Sequence, residues 1–400
     1  MNTILSTKPQ CSVVAPPKQK GRLFDLHVKL LFLTSLCFAA CNSQNNSSSS
    51  DSSVNNTSDG GSTEPDKTLT RTRILPDPSV PAQRCGMPGI PSKIVDCTDI
   101  AEGEDFYGQD GHYHFDFRQH NYTYNGDGTV TDNLTNLTWM RCVLGTDYNG
   151  DYSCSHLNLA DLMTLDEAKK QCSILSKADG HSDWRVPTIS ELWSIQDIDQ
   201  LRPSLDQEFF LNSPNRFIWS STPYPGSASK YWIIYLEYSH FIMLDSSEEA
   251  AVMCVRGEDW PSAKFEKREK EGDEFVVDIT TGLMWQKCSC GRSGLNCEIE
   301  TDEIRTFKEA LAACENLESA GFSDWRLPDR HELLSIIDTT RRAPVLDADF
   351  FPNTILGNYY SSTIIDADTQ FCVNMTDGFS DRCGPNFEDG ARCVRGNSPP

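Results

Sequence analysis

Two segments of the chain place a carboxylate, an aromatic ring and a cation at consecutive positions. Both read D-W-R-x-P, at 183–187 and 324–328, and each is followed by a Glu-Leu pair, at 191–192 and 332–333. A carboxylate, which can transfer a proton, next to a ring and a cation could form a catalytic site, which is the catalytic interpretation. In the structural interpretation the Trp anchors the core, the Arg and Asp pair across a turn, and the Pro ends the preceding segment. We favour the structural one, because a motif present twice needs only to serve a shared fold, and we predict no catalytic residue.

Alternating histidines form a second group with possible chemistry. His112, His114 and His120 lie near Asp110 and Asp116, and imidazoles on one strand face can bind a transition metal. The aromatic residues between them suit an ordinary strand equally well, so we expect no metal there.

The sequence N-G-D-G at 125–128 resembles the start of a calcium loop. The acidic ligands that follow in an EF-hand are absent from the sequence, so a tight turn between strands is favoured. The sequence also contains no Gly-rich phosphate loop and no nucleophile elbow. We therefore predict no cofactor.

The charge of the chain limits its partners. Its formal net charge is -23, whereas nucleic-acid binding requires clustered Lys and Arg. The same acidity argues against broad electrostatic contact with anionic lipid or sulfated sugar.

The motifs belong to a longer internal repeat. V-T-D-N-L-T-N-L-T-W-M-R-C at 130–142 is answered by V-V-D-I-T-T-G-L-M-W-Q-K-C at 276–288, and C-V-R-G occurs at 254–257 and 393–396. A repeat of about 140 residues is too long for a solenoid unit and has the length of a domain. We predict a first copy at 81–258, which includes an N-terminal extension, and a second copy at 259–400.

The N-terminus has the pattern of an export signal. Basic residues precede an apolar run at 30–40, which is short for a membrane span but suits a signal peptide. The run ends in small residues before Cys41, which resembles the bacterial lipobox, so we predict a signal peptide at 1–40 and lipidation of Cys41. The alternative is an ordinary signal peptide cleaved near Ala40. The Ser/Asn-rich residues 41–80 then form a flexible tether, and Asn42 favours the outer membrane.

Thirteen cysteines follow Cys41, and export makes disulfides their expected form. Equivalent cysteines of two copies should pair alike. The predicted pairs are Cys172–Cys254 with Cys314–Cys393, Cys142–Cys154 with Cys288–Cys297, a local Cys372–Cys383 staple, and Cys85–Cys97 in the extension. Cys290 is left over, and it either competes with Cys288 for Cys297 or remains a free thiol. A metal site among Cys288, Cys290 and Cys297 would lack a fourth ligand at zinc-like spacing.

Each copy has the same order of predicted elements. A strand ends at Trp139 or Trp285, and a capped helix follows from Thr164 or Thr306. Second short helices are predicted at 189–195 and 331–337, followed by strands such as 231–236 and one around the C-V-R-G cysteine. This order indicates an α+β domain with a mostly antiparallel sheet.

The spaced motifs of both copies resemble the Lcl C-terminal domain family, a domain of unknown function. The resemblance rests on G-D-G-T-V-T-D at 126–132, G-L-M-W at 282–285, W-S-S-T at 219–222, Y-S-S-T at 360–363, and the D-W-R-x-P, E-L and C-V-R-G motifs. The D-W-R-L-P run is also similar to a segment of the formylglycine-generating (sulfatase-modifying) enzymes. That similarity implies two tandem C-type-lectin-like domains, each with two helices and a mostly antiparallel sheet, stapled by disulfides.

The family resemblance implies a cell-surface or secreted bacterial protein, with sulfated-glycan binding attached to the family's name-giving member. We expect a non-catalytic, lipid-anchored envelope protein whose lectin-like domains bind a glycan or protein ligand and no nucleic acid. The membrane is a partner through the lipid anchor. The alternatives are an envelope enzyme on a formylglycine-generating scaffold and a purely structural envelope component.

The ligand-binding residues are left undetermined by the sequence. Five aromatic residues suit either sugar stacking or the core: Trp219, Tyr224, Tyr231, Tyr359 and Tyr360. Since the motifs common to both copies serve the scaffold, function is expected where the copies differ. Those segments are 143–160, 289–303, 223–250 and 364–390.

Overall fold

The computed structural model of the chain describes residues 70–71, 84–87, 93–97, 100–109, 121–145, 154, 162–178, 181–197, 203–211, 217–259, 263–300, 306–386 and 390–396. All of them belong to one compact unit, residues 65–400. The predicted signal peptide at 1–40, Cys41, most of the tether at 41–80 and the alternating histidines at 112, 114 and 120 lie outside the described residues.

Within the described ranges, no helix has the length and apolar character that crossing a membrane requires.

Four helices are described: α1 (Leu165–Ala178), α2 (Ile189–Ser194), α3 (Phe307–Glu315) and α4 (Arg330–Ser335). The strands are β1 (Thr70–Arg71), β2 (Arg84–Met87), β3 (Lys93–Asp96), β4 (Tyr122–Tyr124), β5 (Thr129–Asp132), β6 (Leu137–Met140), β7 (Phe217–Pro223), β8 (Lys230–Tyr235), β9 (His240–Asp245), β10 (Val255–Arg256), β11 (Phe265–Lys270), β12 (Asp273–Asp278), β13 (Met284–Gln286), β14 (Arg292–Ser293), β15 (Ile299–Glu300), β16 (Asn358–Asp366), β17 (Thr369–Asn374), β18 (Ser380–Cys383) and β19 (Val394–Arg395).

Each copy has a sheet of its own. Strands β1-β4-β5-β6-β10 form the sheet of the first copy and β11-β12-β13-β19 that of the second, and β2-β3 and β14-β15 are separate ribbons. The predicted tether is too long at its end, because Thr70 and Arg71 pair with β4 as an edge strand of the first sheet. The strands named above pair antiparallel throughout. The predicted α+β class with a mostly antiparallel sheet is confirmed.

The segment predicted as one strand ending at Trp139 is a hairpin, β5–β6, and its counterpart is the hairpin β12–β13. Asp132 accepts a hydrogen bond from Leu134 N at 3.0 Å, and Asp278 accepts one from Thr280 N at 2.8 Å. The turns end at Asn136 and Gly282, with φ of 56° and 78°. A short Asx turn followed by a residue in the left-handed region reverses the chain, and the alternation of apolar residues alone does not reveal it.

Capping residues fix where the helices begin. Thr164 exchanges hydrogen bonds with Glu167 before α1, and Thr306 Oγ1 accepts one from Glu309 N before α3, as predicted. The short helices α2 and α4 have complete capping boxes as well, from Thr188 to Glu191 and from Asp329 to Glu332. Such a box satisfies two otherwise unpaired N–H groups, so a helix of two turns is stable in this packed setting.

The described residues contain six disulfides, and all six are predicted pairs, four of them from the repeat and two from local spacing. They are Cys85–Cys97, Cys142–Cys154, Cys172–Cys254, Cys288–Cys297, Cys314–Cys393 and Cys372–Cys383. Two of them tie a helix, α1 or α3, to the cysteine that precedes the closing strand of its copy. Cys288 and Cys297 are bonded to each other, so neither sulfur is available to the alternative metal site.

The two copies are joined by one six-stranded sheet with the order β16-β17-β18-β9-β8-β7. Its central pair is β9 and β18, where Phe241 lies opposite Ser380. These two residues are equivalent in the repeat. Phe241 pairs with Ile234 in the first copy, and Ser380 pairs with Val373, the counterpart of Ile234, in the second. Equivalent residues that face each other are the mark of twofold symmetry, so the copies associate as the halves of an isologous dimer do.

The hydrophobic core follows the same plan. One cluster includes residues of both copies, among them Trp139, Trp232, Trp285 and Tyr359. Smaller clusters behind α1 and α3 belong to the first and the second copy. Since the largest cluster is common to both, the copies stabilise each other.

The N-terminal extension packs against the second copy, although it precedes the first in the chain. Lys308 Nζ of α3 lies 2.6 Å from a carboxylate oxygen of Asp105, and Phe106 packs on the core behind α3. The extension therefore adds a further link between the start of the described chain and its second half.

Candidate ligand-binding surface at the junction of the two copies

The arginine of each D-W-R-x-P motif is bound by the glutamate of the following E-L pair. Arg185 donates to Glu191 at 2.7 and 2.6 Å, and Arg326 donates to Glu332 at 2.6 and 2.6 Å. The predicted pairing of this arginine with the Asp of its own motif is wrong in this detail. The carboxylate six residues on is the partner because the helix that begins after the Pro brings it back over the turn, and a planar guanidinium fits it at two points.

The same motif holds the closing strand of its copy. Arg185 and Val255 exchange backbone hydrogen bonds at 2.9 Å, and Arg326 and Val394 do so at 2.8 and 2.9 Å. In the second copy Asp324 pairs with Arg395 at 2.6 Å, which lowers the pKa of Asp324. These contacts explain why C-V-R-G recurs with D-W-R-x-P: the two motifs are one structural unit.

The tryptophans of the motif are in the core, as predicted. Trp184 packs behind α1 and Trp325 behind α3. The arginine of each D-W-R-x-P motif is thus bound by a glutamate, and its tryptophan ring is buried. The role of the motif is to hold together a turn, a short helix and the last strand of its copy.

The aromatic residues considered for sugar stacking do not form a surface. Trp219, Tyr359 and Tyr360 are fully buried, and Tyr224 is 5% exposed. Tyr231 is half-buried, and its ring lies 4.9 Å from Lys169 Nζ. For the four buried rings the core interpretation is the correct one.

A different aromatic group lies at the junction of the copies. We call it the junction cluster; it consists of Tyr235, Glu237, Tyr238 and His240 of the first copy and Asp381 and Arg382 of the second. Its residues occupy the β8–β9 turn, the start of β9 and the facing part of β18. All four first-copy members are partly exposed, and Asp381 and Arg382 are exposed.

The rings of the junction cluster form a continuous row. The centroid of Tyr238 lies 5.6 Å from that of Tyr235 and 5.9 Å from that of His240. The guanidinium of Arg382 lies 5.2 Å from the centre of the Tyr238 ring, which is the geometry of a cation–π contact across the junction. Tyr235 Oη donates a hydrogen bond to Glu237, and His240 Nε2 lies 3.6 Å from Asp381 Oδ1.

The imidazole of His240 is neutral at neutral pH. Burial, with smaller contributions from the cations of Arg330 and Arg382, lowers its pKa to about 4 against the opposing effect of the Asp381 carboxylate. The cluster thus combines one neutral ring, two phenol rings, two carboxylates and a guanidinium in one place.

Beneath the cluster, Arg330 of α4 ties the copies together. Its guanidinium is fully buried and donates to Ser239 O, to Ser239 Oγ at 2.8 Å and to Ser380 Oγ at 3.1 Å. Burial lowers the pKa of Arg330 to about 9. The first copy has Ile189 at this position, so the junction is symmetric in backbone and asymmetric in side chains.

The junction cluster lies within 223–250 and 364–390, two of the segments in which function was expected from divergence. The sequence did not single out Tyr235, Tyr238 or His240, because their proximity to Asp381 and Arg382 depends on the β9–β18 pairing. A Tyr-x-x-Tyr-x-His spacing in a divergent segment is the signal that was present. Of the other divergent segments, 143–160 lies largely outside the described residues.

N-G-D-G at 125–128 is the turn between β4 and β5, as favoured. Asp127 accepts hydrogen bonds from Thr129 N at 3.0 Å and from Thr129 Oγ1 at 2.6 Å, and Gly126 and Gly128 have φ of 83° and 87°. The carboxylate is used to hold the turn.

These contacts define a disulfide-linked α+β protein in which a duplicated scaffold motif supports a surface between the copies. The chain belongs to the Lcl C-terminal domain family, which matches residues 128–256 and 274–395. The two matched segments are the two copies recognised in the sequence. A comparison with curated proteins gives no significant match.

Proposed function

We propose that the chain is a non-catalytic recognition protein that binds a glycan at the junction cluster. The observation that carries the proposal is the partly exposed row of rings flanked by charged groups from both copies. The C–H face of a sugar ring packs on an aromatic ring, and its hydroxyls need donors and acceptors at the edge. Tyr238 and Tyr235 supply the rings, while Glu237, Asp381 and Arg382 supply the polar groups.

The scaffold motif supports recognition over catalysis. Its carboxylates are the groups best suited to proton transfer, yet each glutamate binds its arginine, and Asp324 binds Arg395. A group engaged in two strong hydrogen bonds is held in place and exchanges protons poorly with a substrate. An envelope enzyme on a formylglycine-generating scaffold is therefore the less favoured alternative.

We further propose that the copies have the C-type-lectin-like fold and that the chain is anchored in the bacterial envelope through Cys41. The helix-to-last-strand disulfides and the antiparallel sheets support the first proposal. The basic residues, the apolar run at 30–40 and the small residues before Cys41 support the second. The Ser/Asn-rich segment would hold the binding surface away from an outer membrane.

The test is glycan-array binding by the purified full chain, followed by titration calorimetry with the best ligand. Tyr238→Ala should weaken binding at least tenfold, equivalent to about 1.4 kcal/mol, because it removes the central ring of the row. Tyr238→Phe keeps the ring and is the matched control, which should bind within about threefold of the unchanged chain.

Three results would count against the proposal. Equal binding by Tyr238→Ala would place the glycan elsewhere. An array without any ligand, together with a protein partner captured by cross-linking, would favour the protein-ligand alternative. Turnover of a captured ligand would favour the enzyme.

A further inference from the structure

Three sulfur atoms meet in the core of the second copy. Cys290 is a free thiol in the described chain, and its Sγ lies 3.5 Å from Sγ of Cys393. Cys393 is bonded to Cys314, and the three sulfurs all lie within 4.8 Å of one another. At this distance the thiol is in contact with a disulfide sulfur, which is the first requirement for thiol–disulfide exchange. Three sulfurs within 4.8 Å of one another are not collinear, so the Cys290 side chain must rotate before its sulfur attacks along the Cys393–Cys314 bond.

The first copy has the same backbone arrangement without the third sulfur. Cys290 N donates to Ala391 O at 2.8 Å, and Leu144 N donates to Val252 O at 2.9 Å. Leu144 is therefore the counterpart of Cys290, and the Cys172–Cys254 disulfide is the counterpart of Cys314–Cys393. The first copy can therefore serve as an internal control: its disulfide lies next to an aliphatic side chain, whereas the equivalent disulfide of the second copy lies next to a thiol.

We propose that Cys290 and the Cys314–Cys393 disulfide form a reactive site in which the cross-link moves within the chain. The Cys290 thiolate attacks Sγ of Cys393, so the Cys290–Cys393 bond forms as the Cys393–Cys314 bond breaks. Cys290 gives its proton to water, and the departing Cys314 thiolate takes up a proton. One thiol and one disulfide are present before and after, so the step needs no oxidant and no reductant.

The exchange changes which elements are linked. In the first state a disulfide ties α3 to the residue before β19. In the second state the bond joins that residue to the segment after β13, and α3 carries a thiol in its last turn at Cys314. Helix α3 is also the element that pairs with the extension through Lys308 and Asp105. The covalent support of the extension's docking site thus depends on the state of the disulfide.

The surroundings of Cys290 set the rate. Burial raises the pKa of the Cys290 thiol to about 12, while the buried guanidinium of Arg392 lowers it. Only the thiolate attacks, so the exchange is slow at neutral pH. Below a pKa of this height the thiolate fraction increases tenfold for each pH unit, and the rate should follow it.

The test uses the full chain without reductant, incubated at pH 7, 8, 9 and 10 and quenched in acid. The chain is then unfolded in acidic guanidinium with N-ethylmaleimide and mapped by mass spectrometry without reduction. Labelled Cys314 and a Cys290–Cys393 peptide should appear together, with initial rates that increase about tenfold per pH unit. Cys172 should stay unlabelled throughout.

Three variants complete the test. Cys290→Leu gives the second copy the residue of the first and should leave Cys314 unlabelled at every pH, and Cys290→Ser serves the same purpose if the Leu variant does not fold. Leu144→Cys gives the first copy the third sulfur and should make Cys172 labelled. Label on Cys290 alone at pH 10 would overturn the proposal, as would equal labelling of Cys314 when Cys290 is absent.

Discussion

Replacing Glu332 by Gln should destabilise the chain more than the same substitution at Glu191. Both glutamates bind the arginine of their D-W-R-x-P motif at two points and cap the next helix. The difference lies in exposure, because the Arg326 and Glu332 side chains are 4% and 2% exposed whereas Arg185 is 27% exposed. Arg185 also has a second partner, Asp259, at 2.9 Å.

The magnitude follows from what each arginine keeps after the substitution. Arg326 would keep a buried positive charge without its carboxylate, and loss of one partner of a buried pair costs about 3 to 5 kcal/mol. Arg185 would keep contact with water and with Asp259, so loss of its charged hydrogen bonds costs about 1 to 3 kcal/mol. We therefore expect the Glu332→Gln variant to be less stable than Glu191→Gln by about 2 kcal/mol.

Urea unfolding of the disulfide-intact chain, followed by tryptophan fluorescence, measures both free energies. The fluorescence is the sum over the eight tryptophans and follows the unfolding of the chain as a whole. Equal slopes in urea would allow direct comparison of the midpoints. The double variant Arg326→Met with Glu332→Gln should recover part of the loss, because it removes the buried guanidinium that has lost its bidentate carboxylate. Equal losses at Glu332 and Glu191, or a larger loss at Glu191, would refute the reasoning from burial.

Two further predictions concern the junction and the core. The pKa of His240 is about 4 in the folded chain and about 6.5 in the unfolded chain. As the pH falls, the unfolded state therefore binds the proton first. The free energy of unfolding should be highest above pH 6.5 and should decrease as the pH falls toward 4, by at most about 3 kcal/mol. Urea midpoints at pH 7 and pH 4 should show this loss in the unchanged chain and a smaller one in His240→Gln, and identical losses would contradict it. In Gly390→Ala the new Cβ would lie 2.8 Å from Cε2 of the buried Tyr359 ring, so the unfolding free energy should decrease by about 1 to 3 kcal/mol. The first copy has Ala251 at this position, and Ala251→Gly should lower the free energy of unfolding by only about 0.5 to 1 kcal/mol. An unchanged urea midpoint for Gly390→Ala would contradict the prediction and show that the Tyr359 ring moves aside.

Features that are local in the chain could be predicted from the sequence. A Thr three residues before a Glu starts α1 and α3. The repeat pairs eight of the cysteines, because duplicated sequences must place equivalent residues alike, and short local spacing pairs Cys85 with Cys97 and Cys372 with Cys383. The repeat also indicates which motifs are scaffold. The capping boxes of α2 and α4 can be read in the same way, in T-I-S-E and D-R-H-E. Helix α2 ends one residue before its predicted end, and α4 begins one residue before its predicted start and ends two residues before its predicted end.

Contacts between the copies could not be predicted in this way. The pairing of β9 with β18 is set by side chains from two distant segments, and neither strand has a pattern that specifies a partner. Arg330 illustrates the difficulty, since a charged residue at the start of a short helix is usually exposed. Here it is buried because three oxygens and two rings of the junction surround it. The junction cluster is not predictable for the same reason, whereas Trp219 and Tyr360 are candidates on residue type alone and lie in the core.

The β9–β18 pairing can form only late in the synthesis of the protein, after β18 has emerged. Phe241 emerges long before Ser380, so the first copy is complete in sequence while one edge of its three strands still has unpaired N–H and C=O groups. Such an edge is a template for association with other chains. The outer strands β7 and β16 of the finished sheet are interrupted by register shifts, which make poor templates, and the regular strands are hidden in the middle. A chain that stops after its first copy would therefore expose the edge that the second copy covers, and truncation should lead to aggregation as well as to loss of half the molecule.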